Sequence, residues 1–304
     1  MPFGGWQGTV AFPVRFTGTG VHCNQQVEVT VLPAPVDHGI VFDCIFAGGI
    51  RIPVKPENVM STGGCTELAY QSVTLRTIEH FLAACLAVGI DNALVRVSAA
   101  EMPILDGSAL PIVLKLKEAK LQQTGIKQYY QLNHPIVVRH GKSYIEARPS
   151  SALKISCEID FDHPWFLRHH ESLKMDLTIN DQNLDHVIQA RTFGFVKDLS
   201  GLLKRNLAQG ASLKNSVLFD YQTIINAEGL RFEKEPVAHK FLDLLGDLAV
   251  LGKPILADIK AYCPGHKINI ELVNRLIEGD LLVCHSKTPD KTVNRASEVA
   301  WVFE

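Results

Sequence analysis

His239 and Asp243 stand four residues apart in the run His239-Lys240-Phe241-Leu242-Asp243, and Asp247 follows four further on. On a helix, positions four and eight apart share a face. One rigid element would therefore aim an imidazole and two carboxylates in roughly one direction, as proton handlers or as donors to a divalent metal. A metal site would need a further ligand from elsewhere in the chain. Taken alone, His-x-x-x-Asp also fits an exposed polar stripe. Leu242, Leu244, Leu245, Leu248 and Val250 argue against that, because they set the aspartates in an apolar segment where unpaired carboxylates are costly.

Glu79-His80 lies within the apolar run Thr77-Ile78-Glu79-His80-Phe81-Leu82. Neighbouring helix residues diverge by roughly 100°, so the pair would not share one ion. A metal held by His80 would leave Glu79 beside it, placed to act as base on a water. The alternative is a pair on the surface of a helix. His266 follows Pro264-Gly265 at a strand-to-helix turn, a position that suits either a catalytic side chain or a helix cap. Arg191-Thr192-Phe193-Gly194-Phe195 offers a hydroxyl for an oxyanion and two aromatic rings, and also reads as a strand entering a turn. Leu199, Leu202 and Leu203, ahead of Gly210, mark a short amphipathic helix. It either covers a core or walls an acyl-chain groove.

These residues need elements to position them. From residue 9 to about 70, β-branched and aromatic runs alternate with Gly and Pro clusters, which predicts strands and turns. A helix over 74–88 stops at Gly89, followed by a strand over 92–98, a Pro- and Gly-marked loop over 101–108 and a helix over 110–121. The second half repeats the order: strands between about 129 and 180, a helix over 236–251, a strand over 255–262, a Pro-Gly loop and a helix over 268–278. His80 precedes Asp106 by 26 residues and His239 precedes His266 by 27. The pattern is an internal duplication at the level of architecture, with Gln122-Gln123-Thr124-Gly125 as the boundary. The expected fold is α+β, with two similarly folded domains, 1–125 and 126–304. Each is a β-sheet with two helices, packed helix to helix as a β-α-α-β sandwich. That packing would bring His80 toward His239 and Asp243.

A chain of 304 residues, 46% of them hydrophobic, can bury a sizeable core. A net charge of −2 and a pI near 6.6 lack the basic footprint of a nucleic-acid-binding protein. Seven scattered cysteines without a Cys-x-x-Cys pair indicate a reducing compartment and disfavour a thiolate zinc site. Neither a signal peptide nor an apolar run of about 20 residues is present, so a cytoplasmic protein without a transmembrane segment is expected.

Taken together, the segments resemble one family, the zinc-dependent UDP-3-O-acyl-N-acetylglucosamine deacetylases of lipid A biosynthesis. The resemblance is carried by Gly18-Thr19-Gly20-Val21-His22, Thr77-Ile78-Glu79-His80, Gly89-Ile90-Asp91-Asn92 and Pro103-Ile104-Leu105-Asp106-Gly107-Ser108 in the first half. In the second it is carried by Asp160-Phe161-Asp162-His163-Pro164, Ala190-Arg191-Thr192-Phe193-Gly194-Phe195, Glu228-Gly229-Leu230-Arg231-Phe232, His239 to Asp243 with Gly246-Asp247-Leu248, and Gly265-His266. Each motif is weak alone; the ordered set spans nearly the whole chain.

The resemblance implies a Zn2+ held by His80, His239 and Asp243, with Glu79 as general base. It implies His266 as a cationic partner oriented by Asp247, Thr192 as the oxyanion donor, and Lys240 beside the diphosphate-sugar portion of a UDP-linked, acylated N-acetylglucosamine. Phe161, Phe193, Phe195, Leu199, Leu202, Leu203 and Gly210 complete the implied substrate-binding set, with an acyl-chain insert near 193–222. The implied reaction releases acetate from the N-acetyl group, catalysed by a monomer. Gly63-Gly64, Gln209, Ala211 and Cys263-Pro264 depart from the family pattern and bear on acyl length and phosphate contacts. Two other readings fit the same residues: a zinc hydrolase of another N-acetylated substrate, and a non-catalytic protein that binds a nucleotide-sugar lipid.

Overall fold

The computed structural model describes residues 5–61, 63–169, 173–179 and 184–286. The first half begins with strands β1 (Trp6–Val10), β2 (Val14–Thr19), β3 (Gln26–Pro33), β4 (Ile40–Cys44) and β5 (Ile50–Pro53). An antiparallel meander of β6 (Val59–Ser61), β7 (Thr66–Tyr70) and β8 (Val73–Arg76) follows. Helix α1 (Glu79–Val88), β9 (Ala93–Val97), α2 (Leu110–Ala119) and β10 (Lys120–Ile126) complete this half.

The second half runs through β11 (Gln128–Leu132), β12 (Ile136–His140), β13 (Ser143–Pro149), β14 (Lys154–Ile159), α3 (Pro164–His169) and β15 (Leu173–Thr178). It continues with α4 (Asp185–Gln189), β16 (Phe193–Phe195), α5 (Val196–Lys204) and β17 (Val217–Phe219). Helix α6 (Glu235–Ala249), β18 (Ile255–Tyr262), α7 (His266–Glu278) and β19 (Leu282–Ser286) close it.

The strand order repeats. In the first half it is β2-β3-β9-β4-β5, antiparallel throughout except for the parallel β9–β4 pair. In the second, β12-β13-β18-β14-β15 has the same order and directions, with β18–β14 parallel. The flanking antiparallel pairs β1–β10 and β11–β19 also correspond. Each parallel pair needs a crossover connection, and here the crossovers carry α1 and α6. The β6–β8 meander and the α4-β16-α5-β17 segment interrupt the repeat at equivalent places, each just before its crossover helix.

Burial follows the sequence pattern. Val27, Val29 and Val31 of β3 point inward while Glu28 and Thr30 do not, the period-two alternation of a sheet with one covered face. Helices α1 and α6 pack against each other between the sheets and are buried on nearly every side, with α2 and α7 beside them. Gly246 permits the contact: a Cβ there would lie 2.7 Å from the Glu79 carbonyl carbon. Across the halves, Arg231 meets Asp106 at 2.8 Å and Lys127 meets Asp91 at 2.8 Å.

Two helix starts differ from expectation. Residues 73–76 form strand β8 rather than the first turn of a helix, and α1 starts at Glu79. The alternation Val73-Thr74-Leu75 places Val73 and Leu75 in the core as a strand does. The boundary stretch Gln122-Gln123-Thr124-Gly125 lies within β10, paired with β1. Helix α7 begins at His266, two residues before its expected start.

Candidate metal centre and active site

His80 is the second residue of α1, and His239 and Asp243 sit one turn apart on α6. The close helix contact at Gly246 brings all three together. One donor atom from each lies within 4.8 Å of the others. Nε2 of His80 and Nε2 of His239 are 3.6 and 3.4 Å from Asp243 Oδ1, and the imidazole centroids are 5.0 Å apart. All three residues are buried. Among the described residues, Asp243 Oδ1 has no hydrogen-bond partner, and a buried carboxylate oxygen left without one is unfavourable unless a cation takes that place. His239 Nδ1 lies 3.2 Å from the Ala190 carbonyl oxygen. That contact fixes the tautomer with the Nε2 lone pair directed inward. Burial pushes the His239 pKa down to about 3, keeping the ring neutral. Despite its own burial, Asp243 is held well below the usual carboxylate range by the imidazoles and the Lys240 ammonium packed around it. Two imidazoles and one carboxylate, convergent and buried, fit a first-row divalent cation.

A second layer controls protons. Glu79, the first residue of α1, accepts a hydrogen bond at Oε2 from the Thr66 backbone N–H at 3.1 Å. Its Oε1 faces His266 Nε2 at 4.0 Å. Burial raises the Glu79 pKa, which makes it a stronger base. Burial alone would lower that of His266, but the carboxylates of Asp247, Glu79 and Asp243 outweigh it and hold the imidazolium at about 9. Asp247 is fully buried. It accepts from Thr66 Oγ1 at 2.5 Å and Asn269 Nδ2 at 2.8 Å, and lies 3.0 Å from His266 Nδ1. Thr66 and Asn269 were not legible from the sequence as site residues, since neither belongs to a spaced motif and both act from separate elements.

Two strained turns aim these side chains. Thr77, two residues before Glu79, has φ of 59°, and Cys263, three before His266, has φ of 48°. A β-branched residue at positive φ is rare and needs outside support. Thr77 Oγ1 obtains it from the buried Glu101 carboxylate at 3.1 Å, which also accepts from the backbone N–H groups of His22 and Cys23.

The metal-type triad opens into a cavity of about 230 Å³ walled by Glu79, Thr192, Phe193, Leu199, Leu202 and His266, among others. His22, with Gly64 beside it, lines the same space. A neighbouring groove of about 430 Å³ is lined by Phe161, Phe193, Phe195, Lys197, Arg205 and Lys240. Phe193, Leu202 and Lys240 border both. Phe161 packs edge-on to Phe193 and Phe195, with centroids 5.7 and 5.4 Å away. Lys240 Nζ contacts Asp243 Oδ2 at 2.8 Å and sits over the Phe193 ring. Leu203 and Gly210 lie outside these linings. Leu203 turns to solvent, 52% exposed. Gly210 stands against the backbone of Gly20, leaving no room for a side chain.

The chain is similar to known proteins over nearly its whole length. The family model for UDP-3-O-acyl N-acetylglycosamine deacetylase matches residues 7–278. Proteins named UDP-3-O-acyl-N-acetylglucosamine deacetylase from Shewanella baltica, Shewanella oneidensis and Shewanella frigidimarina are each 39% identical over 275 residues, covering 90% of this chain and 90% of theirs. A match that runs through both repeats and both interrupting segments leaves no part of the site outside it, and the chain belongs to the UDP-3-O-acyl N-acetylglycosamine deacetylase family.

Proposed function

We propose that this protein hydrolyses the N-acetyl group of a UDP-linked, 3-O-acylated N-acetylglucosamine in lipid A biosynthesis, with Zn2+ held by His80, His239 and Asp243. The observation that carries the reading is the unpartnered buried Oδ1 of Asp243 facing two imidazoles, beside a carboxylate and a charged histidine. When bound, zinc would supply Lewis acidity, acidifying a water and polarising the acetyl carbonyl.

The protein's own groups do the rest. Glu79, buried and strengthened as a base, takes the proton from the attacking water through Oε1, because Oε2 is tied to the Thr66 N–H. Thr192 provides a hydroxyl on the cavity wall for the charge developing on the acetyl oxygen, an effect worth a few kcal/mol per well-aimed donor. His266 is already protonated at neutral pH, anchored through Nδ1 to Asp247 and open through Nε2. It delivers a proton to the departing amine, which leaves poorly as an anion. Leu199 and Leu202 wall the path for the acyl chain, and Phe161, Phe193, Phe195 and Lys240 border the groove for the UDP-sugar.

The same proposal has the domains dividing at residues 1–125 and 126–304 and the enzyme acting as a cytoplasmic monomer. Among the described residues, no helix is long and apolar enough to cross a membrane. The test is acetate release by purified protein on acylated and non-acylated UDP-N-acetylglucosamine, with and without a chelator. Turnover confined to the acylated compound and abolished by metal removal is expected. Turnover that survives complete metal removal overturns the mechanism.

A further inference from the structure

Helix α5 has no fully buried residue, yet it is strongly amphipathic. Leu199 and Leu202 face the catalytic cavity. Val196 and Leu203, seven residues apart and so on one face, are 37% and 52% exposed. Leu213, Tyr221 and Ile225, later in the same segment, are 44%, 67% and 41% exposed. Thus five of the sixteen large apolar side chains exposed among the described residues fall in residues 193–226, about one-eighth of the described residues. The exposed apolar side chains are thus concentrated along one segment of the chain, and exposed apolar side chains that gather in this way mark interaction sites.

Charge identifies the partner. Residues 193–226 contain Lys197, Lys204, Arg205 and Lys214 against Asp198 and Asp220, a net of +2 in a chain whose net charge is −2. All four basic residues are exposed. A segment that exposes both apolar and basic side chains, and that includes an amphipathic helix, has the composition that lies in the headgroup region of an anionic bilayer. The side chains of Asn226 and the backbone of Ile225 brace the loop: Asn226 Nδ2 donates to the Leu213 and Ser216 carbonyls, and the Ile225 N–H donates to Leu218 O. The apolar residues are therefore presented by an ordered segment.

We infer that the outer surface of the α5 segment docks on an anionic membrane surface, holding the inner wall of the same helix over the lipid from which an acylated substrate is drawn. The inference rests on the reading that the substrate carries an acyl chain. It is tested by flotation of the full protein with vesicles of equimolar phosphatidylethanolamine and phosphatidylglycerol, and with vesicles of phosphatidylcholine alone. The protein should float with the anionic vesicles, less so at high salt, and remain behind with phosphatidylcholine. Lys204→Gln with Lys214→Gln should weaken partitioning by roughly thirty-fold, and Leu213→Ser with Tyr221→Ser by roughly ten-fold. Either double variant floating as the parent does, or a parent that stays unbound or prefers neither vesicle, overturns the inference. Acetate release is measured on the same preparations with substrate in detergent-free solution, where both double variants should match the parent. Flotation without turnover would remove the catalytic reading and leave the membrane contact standing; turnover without flotation would do the reverse.

Discussion

Replacing Gly246 with alanine would put a methyl group into the contact between α1 and α6. Built on the present backbone, the new carbon lies 2.7 Å from the Glu79 carbonyl carbon and 2.9 Å from Glu79 Cα, where ordinary contact begins at 3.4 Å. The obstructing atoms are backbone, so no side chain can rotate away, and the helices must part locally by more than about 0.7 Å, the difference from the carbonyl carbon, because the Glu79 carbonyl oxygen lies closer still. Alanine gains about 1 kcal/mol in helix propensity over glycine. Overpacking costs about 1–3 kcal/mol, here toward the upper end, so a net loss of about 1–2 kcal/mol in stability is expected. Turnover should suffer more, because Glu79 and His80 ride on the displaced helix, and a misplacement approaching 1 Å costs on the order of a hundred-fold. Denaturant unfolding, zinc content and kcat would be measured together. Gly201→Ala on α5, where nothing among the described residues lies within 4 Å of the added carbon, serves as the stability control and should gain up to about 1 kcal/mol. Wild-type kcat and midpoint in Gly246→Ala would refute the claim that this contact sets the site's spacing.

Other outcomes follow from the same geometry. Glu79→Ala should retain zinc and lose turnover, whereas His239→Ala and Asp243→Ala should lose zinc; equal metal loss in all three, measured by metal analysis, would remove Glu79 as the base. His266 has a folded pKa of about 9, above its ordinary 6.5. Its ion pair therefore adds stability that is full below the ordinary value and is lost as pH rises through about 9, and kcat/KM should fall on the same alkaline limb. Asp247→Asn should move that limb to lower pH in a rate profile, and an unmoved limb would contradict the assignment. Arg191→Leu would leave Glu235, 1% exposed on its side chain, without its partner at 2.8 Å. A loss of about 3–5 kcal/mol is expected by chemical unfolding, and a loss under about 1 kcal/mol would show the pair to be dispensable.

The duplicated architecture was legible because Gly89 and the Pro-Gly turn before His266 punctuate strongly periodic segments, and the four long helices all form near their expected positions. The start of α1 is not marked in the sequence, because Thr74, Leu75 and Ile78 satisfy helical spacing, while the positive φ of Thr77 that separates strand from helix leaves no periodic trace. His80, His239 and Asp243 could be brought together by a topological argument, since each lies on a crossover helix of one repeat. Thr66 could not: its hold on Glu79, Asp247 and His266 depends on how the β6–β8 meander docks. Leu203 illustrates the limit of helical spacing. It shares a periodic stripe with Leu199 and Leu202, but α5 rests only its edge on the cavity, and the third leucine turns outward.

The metal-type triad draws on residues 80 and 239, which are separated by 159 positions. Neither repeat holds a complete donor set, so an emerging chain could form its first sheet and still be unable to load an ion at this site until α6 had left the ribosome and docked. Ion affinity would then include the work of joining the repeats, and an occupied centre would act as a staple between them. Metal loading would thus report completed assembly, with catalytic competence arriving last and all at once.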